Sequence, residues 1–281
     1  MGRRRGGEEP RSAQWSRRKM LCLLLMAALT VAALAAGLVL AVVHAIAPTG
    51  DGDEARGSVG NAAGPTTPAV PTGTVSVAEA RDALAARPMP AVPVSASRPA
   101  PLSNRDPGPP IVLPRATDTG PAGVPTGFPR SPEGAMAQLA AIDQTALQSG
   151  SLAGARAVIA AWAMPGGPTT TSWSGVRAMS TLLNATGLSG GGSPQLAVVL
   201  RPLMGQIKGS VGPDFVVPCV DFELEVTLQQ TARGAIADCQ RMVWHGDRWM
   251  IGPGEEPALP PSVWPGTDLA IDVGYRDLRH G

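Results

Sequence analysis

The sequence predicts an α+β fold: three amino-terminal helices packed on a curved, antiparallel, four-stranded sheet, behind one transmembrane helix and a disordered proline-rich tether. Three observations predict it. No Asp, Glu, Lys or Arg interrupts residues 20–47. Residues 131–187 carry three apolar patterns at helical spacing. From Gln195 onward the apolar period switches to two.

The apolar run comes first. Twenty-four helical residues, Met20 to Val43, span about 36 Å, enough for a hydrocarbon core of ~30 Å. Seven basic residues in positions 1–19, against Glu8 and Glu9, predict a cytoplasmic amino terminus. The run exceeds the apolar region of a cleaved signal peptide, although Ala45-Ile46-Ala47 resembles a cleavage site. The expected organisation is therefore a basic cytoplasmic tail (1–19), a transmembrane helix (20–47), a Pro/Gly-rich extracytoplasmic linker (48–127) and an extracytoplasmic α+β domain (128–281). The protein is expected in the cell membrane, single-pass, with the lipid bilayer as one partner. A formal net charge of +1 gives no reason to expect nucleic acid.

The linker lacks the apolar periodicity that would repay its ordering entropy. Its exception is a short capping-box helix beginning at Ser76 and Glu79 and ending at Pro88. In the domain, Ser131 reads as an N-cap, Pro132 as the first helical residue and Gly150 as the stop. Second and third helices follow Ser151 and Thr170. Two strands then cover 195–209 and 215–228, a third 231–244 and a fourth 248–252; residues 263–278 form a terminal helix or docked tail. In the second strand Val220, Phe222, Leu224, Val226 and Leu228 face one way, while Asp221, Glu223 and Glu225 face the other and read as solvated.

The fragment MVWHGDRWMI, Met242 to Ile251, holds two of the six tryptophans in a chain that is only 4% aromatic. A two-residue turn at Gly246-Asp247 sets His245 opposite Arg248, Trp244 opposite Trp249 and Met242 opposite Ile251. The tryptophans then form a cross-strand pair anchoring a core rather than a ligand platform.

Chemistry-bearing residues are few. His245 flanks a turn and His280 lies at a frayed end. Asp238 shares a face with Met242 and Trp244 by strict alternation, and a bulge is expected to turn it outward; a buried acid is the alternative. No nucleophile elbow, zinc spacing or dinucleotide fingerprint is present, so no catalytic residue, metal or cofactor is expected. Cys219 and Cys239 lie on neighbouring strands outside the membrane, where disulfides persist. Direct pairing needs a turn at residues 228–230, which hold no turn former, so the sequence leaves open whether they are bonded.

Three helices, an antiparallel sheet and the hairpin Trp244-His245-Gly246-Asp247-Arg248-Trp249 resemble the nuclear-transport-factor-two-like cone. With a basic tail, a membrane helix and a tether, the order resembles the bitopic assembly subunits of type IV secretion and conjugation machines. It also resembles uncharacterised actinobacterial membrane proteins of conjugative elements. The resemblance implies a non-enzymatic protein that scaffolds or recruits other envelope proteins, with homo-oligomers compatible. The alternatives are a small-ligand-binding, lipid-binding or isomerase-type cone, which requires an open pocket with Asp238 inside, and a cell-wall-associated structural protein.

Overall fold

The computed structural model describes residues 76–281. The basic tail, the apolar run and the first part of the linker lie outside the described residues. Among the described residues, no helix is long and apolar enough to cross a membrane.

The architecture corrects the expected one. Among the described residues, five α-helices accompany a mixed, curled, seven-stranded sheet in place of three helices on four antiparallel strands. Helix α1 is Val77–Ala86, and a three-residue strand β1, Ile111–Leu113, precedes the helical layer. Strands β2 (Asp118–Thr119) and β3 (Pro125–Thr126) make a separate small hairpin. Then come α2 (Pro132–Gln148), α3 (Leu152–Trp162) and α4 (Ser174–Ala185). Strands β4 (Ala197–Ser210), β5 (Phe215–Thr227), β6 (Thr231–Cys239), β7 (Met242–His245) and β8 (Arg248–Ile251) follow. A short α5, Asp268–Asp272, leads into β9, Arg276–His280.

Local chemistry sets the helix ends. The Ser131 hydroxyl accepts from the Gly134 amide, and Pro132 needs no amide partner at the first position. Gly150 takes φ 61° and releases the chain into Ser151, which caps α3 by accepting from Gly154. Helix α2 is the centre of the domain, with Met136, Leu139 and Ile142 at 0% exposure. It packs on β4 and β5, and Gly205 of β4 lets it approach closely. A Cβ at Gly205 would lie 2.9 Å from Met136 Sδ and 3.1 Å from the Cys219 carbonyl oxygen.

The sheet order is β1-β9-β4-β5-β7-β8, with β6 also paired to β5. Long β5 therefore serves two partners along one edge: β6 along 219–227 and β7 at 215–216. The strand expected over 231–244 breaks at Gln240-Arg241, where the chain steps from the first partner position to the second. The expected terminal helix or tail is instead a one-turn helix plus β9, which runs antiparallel to β4 and parallel to β1. His280 is thus a strand residue opposite Leu113 rather than part of a frayed end.

Both sheet faces are covered, which corrects the expectation of one wet face. The helices cover the concave face. The opposite face carries Met204, Cys219, Cys239, Val263, Val273 and Tyr275, all buried, with Met89, Val92 and Ala96 packed onto them. The helix expected after Ser76 is present with its capping box, and it and the following chain to residue 127, expected as extended linker, are bound to this body. Ile111, Leu113, Val124 and Phe128 join the main core. The indole nitrogens of Trp162 and Trp249 donate to the Pro121 and Pro129 carbonyls, at 3.0 and 2.9 Å. Proline-rich chain has no helical or strand period, so its scattered aliphatic side chains, Ile111, Leu113 and Val124, dock without a repeat that pattern reading registers.

The covering segment changes the status of the acidic stripe on β5. Asp221 is fully buried, Glu223 nearly so, and Glu225 partly covered. Arg201 and Arg233 flank Glu223 at 3.2 and 2.6 Å, which accounts for that charge. Asp221 has no such partner, and burial pushes its carboxyl well above the usual range.

Candidate functional site

A cavity of 730 Å³ opens between α4 and β6. Its floor is the concave face of the sheet, with Leu200, Phe222 and Ile236, and its inner end is bounded by Asp143 and Leu147 of α2. Two irregular segments complete the walls: residues 89–94 and residues 259–262. Part of the stretch read as spacer is therefore one side of a cavity.

Residues 89–94 are held in place from both ends. Before them, Lys208 donates to the Ala85 and Arg87 carbonyls at 3.0 and 2.6 Å, the Arg87 guanidinium returns a hydrogen bond to the Lys208 carbonyl, and Arg241 pairs with Asp82 at 2.6 Å. After them, the Trp264 amide donates to the Ala96 carbonyl at 2.7 Å. Midway, Met89 Sδ lies 3.7 Å from both Cys219 Sγ and Cys239 Sγ.

Those two cysteines sit directly opposite each other in the β5–β6 register and are joined by a disulfide, with Cα atoms 4.1 Å apart. The turn that makes this register is the glycine-free 228–230 stretch, closed by a Thr227–Thr231 hydroxyl contact of 2.9 Å. The bond lies behind the cavity wall.

Polar groups gather at the inner end, around the start of α4. This helix has no side-chain cap of its own: its N-cap residue is Trp173. Glu256, from the loop after β8, takes that role, accepting from the Ser174 amide at 2.9 Å and the Ser174 hydroxyl at 2.5 Å. A carboxylate there also meets the positive end of the helix dipole. Gln240 Nε2 donates to Asp238 Oδ2 at 3.0 Å and Glu256 Oε1 at 3.1 Å, and the Ser174 hydroxyl reaches Asp238 Oδ1 at 3.3 Å. Arg177 pairs with the other Glu256 oxygen at 3.1 Å.

Asp238 thus faces the cavity, which corrects the expectation that a bulge turns it outward. The irregularity falls two residues later, at Gln240-Arg241, and leaves Asp238 on the inner side. Burial pushes its carboxyl up to about 7, with the Glu256 charge adding to the rise and hydrogen bonds from Gln240 and Ser174 opposing it. Asp143 is 4% exposed; burial raises it well above the usual range, and the charges of Asp238 and Glu256 push the same way. Its Oδ2 has no hydrogen-bond partner among the described residues.

The hairpin residues take other positions. Trp244 pairs with Trp249, Met242 with Ile251 and His245 with Arg248. The two indoles meet edge to face, centroids 5.4 Å apart and planes at 77°. Trp249, Met242 and Ile251 are buried in the main core, and Trp244 packs against it from a partly covered position. Gly246 takes φ 64° at the first central position of the turn, with Asp247 exposed beside it. None of these residues lines the cavity, and neither do Cys219 and Cys239.

Sequence reasoning missed Asp143, Ser174, Gln240 and Glu256. For Asp143 a signal exists: it continues the helical spacing of Met136, Leu139 and Ala140 toward Leu147, so it lies in the core-facing stripe of α2. For Glu256 there is none, because its role is set by Ser174, 82 residues away. Among the described residues, no cluster of His, Cys, Asp and Glu could hold a metal ion.

Comparison with protein-family models, curated proteins and solved structures finds no significant match. The likeness to nuclear-transport-factor-two-like and conjugation proteins rests on the sequence reading alone.

Proposed function

We propose that residues 76–281 form a small-molecule-binding domain whose ligand sits in the cavity between α4, β6 and the 89–94 segment. The observation that carries this reading is the cavity itself. Its volume of 730 Å³ falls in the range of ligand sites, about 300–1,000 Å³, and apolar walls with a few converging polar groups at one end are the usual composition of such sites. In this reading the apolar run at 20–47 anchors the domain to a membrane, so the ligand is met outside the cytoplasm. The test uses the full chain in detergent, screened for small molecules that raise its unfolding temperature, beside a Thr181→Trp variant. Thr181 lines the cavity, and the larger side chain takes up part of its space. Ligands that stabilise the wild type and not the variant are expected. A screen whose hits stabilise both alike would sink the reading.

A second reading, isomerase-type chemistry, is favoured by Asp238, which titrates near 7 inside the cavity and lies close enough to Asp143 for their charges to interact. In it, Asp238 takes a proton from the carbon beside a carbonyl and returns it further along the conjugated system. Protonated Asp143 donates a hydrogen bond to the developing oxyanion. Solvent deuterium uptake into an enone, lost in Asp238→Asn, is its test; equal uptake in the variant would remove it. The scaffolding role implied by chain order calls for a different measurement. Deleting the domain while keeping residues 1–75 should abolish capture of other envelope proteins.

A further inference from the structure

The inner end of the cavity holds more negative groups than it answers. Asp143 and Asp238 line it, Glu256 stands beside Asp238 outside the lining, and the protein's own donors are committed to the last two. The Ser174 amide and hydroxyl go to Glu256, and Gln240 divides its amide between Glu256 and Asp238. Arg177 is the only cation lining the cavity among the described residues; it reaches Glu256 and is 57% exposed. Asp143 is left over. It is more than nine-tenths buried, it lines the cavity, and its Oδ2 has no donor. A buried polar atom without a partner is destabilising, and an arriving donor removes that cost.

We infer that the cavity takes an organic ammonium compound, its apolar body against Phe222, Leu200 and Ile236 and its N–H donors directed at Asp143 and Asp238. This rests on the ligand-binding reading above and names the class of ligand. A metal ion would find only two carboxyls in the lining, with no third His, Cys, Asp or Glu grouped with them among the described residues to complete its shell. A carboxylate or phosphate would meet two lining acids, Asp143 and Asp238, and no uncommitted cation. An ammonium on an apolar stem satisfies both halves of the site, and the low-dielectric walls strengthen its pairing with the acids.

The pairing carries a pH signature. Asp238 feels the charges of Asp143 of α2 and Glu256 of the loop after β8; Arg177 of α4 pairs with that Glu256, and buried Tyr275 lies ahead of β9. Burial keeps Asp143 and Asp238 protonated at pH values where exposed carboxyls are charged. An ammonium favours their charged forms, so binding releases protons. Affinity rises as pH climbs through about 7, the Asp238 value, and falls again once the amine itself loses its proton, near ~10.

Three probes with one apolar body separate the contributions: phenylbutylamine, phenylbutanol and phenylbutanoate, titrated into the full chain in lipid nanodiscs. The amine is expected to bind at least about tenfold tighter than the alcohol at pH ~8, with the margin shrinking at pH ~5. The acid is expected to bind weakest. Asp143→Asn and Asp238→Asn, each nearly isosteric, should erase the margin while leaving the alcohol's affinity intact. Thr181→Trp should weaken all three. If the alcohol or acid binds as tightly as the amine, or if calcium chloride displaces the amine, the ammonium assignment falls while ligand binding stands. If none of the probes binds, the assignment also falls. If Thr181→Trp leaves binding of the probes unchanged, the cavity reading falls with it. The wild-type pH comparison decides the matter even if a carboxyl variant fails to fold.

Discussion

The Lys208 ammonium donates to the main-chain carbonyls of Ala85 and Arg87, at 3.0 and 2.6 Å, and so fastens the chain just before residues 89–94 to strand β4. The lysine is 6% exposed, and burial pulls its pKa below the ordinary value. Lys208→Met keeps the length of the stem and removes the donors. The Arg87 carbonyl then loses that donor and the Ala85 carbonyl keeps only the Ala258 amide, at a cost of about 1–3 kcal/mol. Limited proteolysis should show faster cleavage between residues 88 and 97. An unchanged cleavage pattern would mean that α1 and Trp264 hold the segment without the lysine.

Stability should fall as pH rises from about 4 to about 7. Asp238 titrates near 7 in the folded chain and near 3.8 when unfolded, and Asp143 and Asp221 shift the same way. In that window the folded state holds protons that the unfolded chain has released. The stabilisation is complete below the unfolded value and is lost by the time pH passes the folded one. The effect for Asp238 is on the order of a few kcal/mol. Urea unfolding at a series of pH values measures it, and Asp238→Asn should flatten the slope. Stability that climbs across the window would contradict the burial of Asp143 and Asp221 and the partial burial of Asp238.

Reduction of the Cys219–Cys239 bond should destabilise the domain by about 3 kcal/mol. The bond closes a loop with a sequence separation of 20 residues, so breaking it returns freedom chiefly to the unfolded chain. Unfolding with and without a thiol reductant gives the difference, and the Cys219→Ser/Cys239→Ser double variant should reproduce it. A variant as stable as the wild type would show that strand pairing alone holds this edge of β5.

Asp221→Val should stabilise the protein. Asp221 is fully buried, opposite Met204 and Ala237; among the described residues only the Val263 amide approaches its carboxyl, outside good hydrogen-bond geometry. An apolar residue of similar volume removes a desolvated carboxyl and keeps the strand preference, a gain of about 1–3 kcal/mol near neutral pH. A loss on thermal unfolding would instead show that this carboxyl has work to do, with Tyr275 a titratable neighbour within reach of its charge.

Legibility in the sequence followed the range of the interactions. Ser131, Pro132 and Gly150 mark α2 because caps and stops act within a few residues. Gly246-Asp247 marks the β7–β8 turn for the same reason. The acids on β5 misled because alternation reports only which side a residue faces, and Asp221 faces a side that residues 88–97 and 259–275 have covered. Proline-rich chain docks without any repeat, so nothing near Asp221 announces the cover. The site was harder still. Asp143 follows the helical stripe and was within reach of a spacing argument, whereas Glu256 acquires its meaning only when the fold brings it to the amino end of α4.

Strand β6 has β5 on one side only, and its outer edge meets residues 259–262, where the Ala237 amide donates to the Ser262 hydroxyl at 3.0 Å. Pro260 and Pro261 have no amide hydrogen to continue a ladder. The rim of the sheet is therefore blunted against strand addition from a second molecule. The prolines that wall the cavity thus also guard the chain against edge-to-edge aggregation.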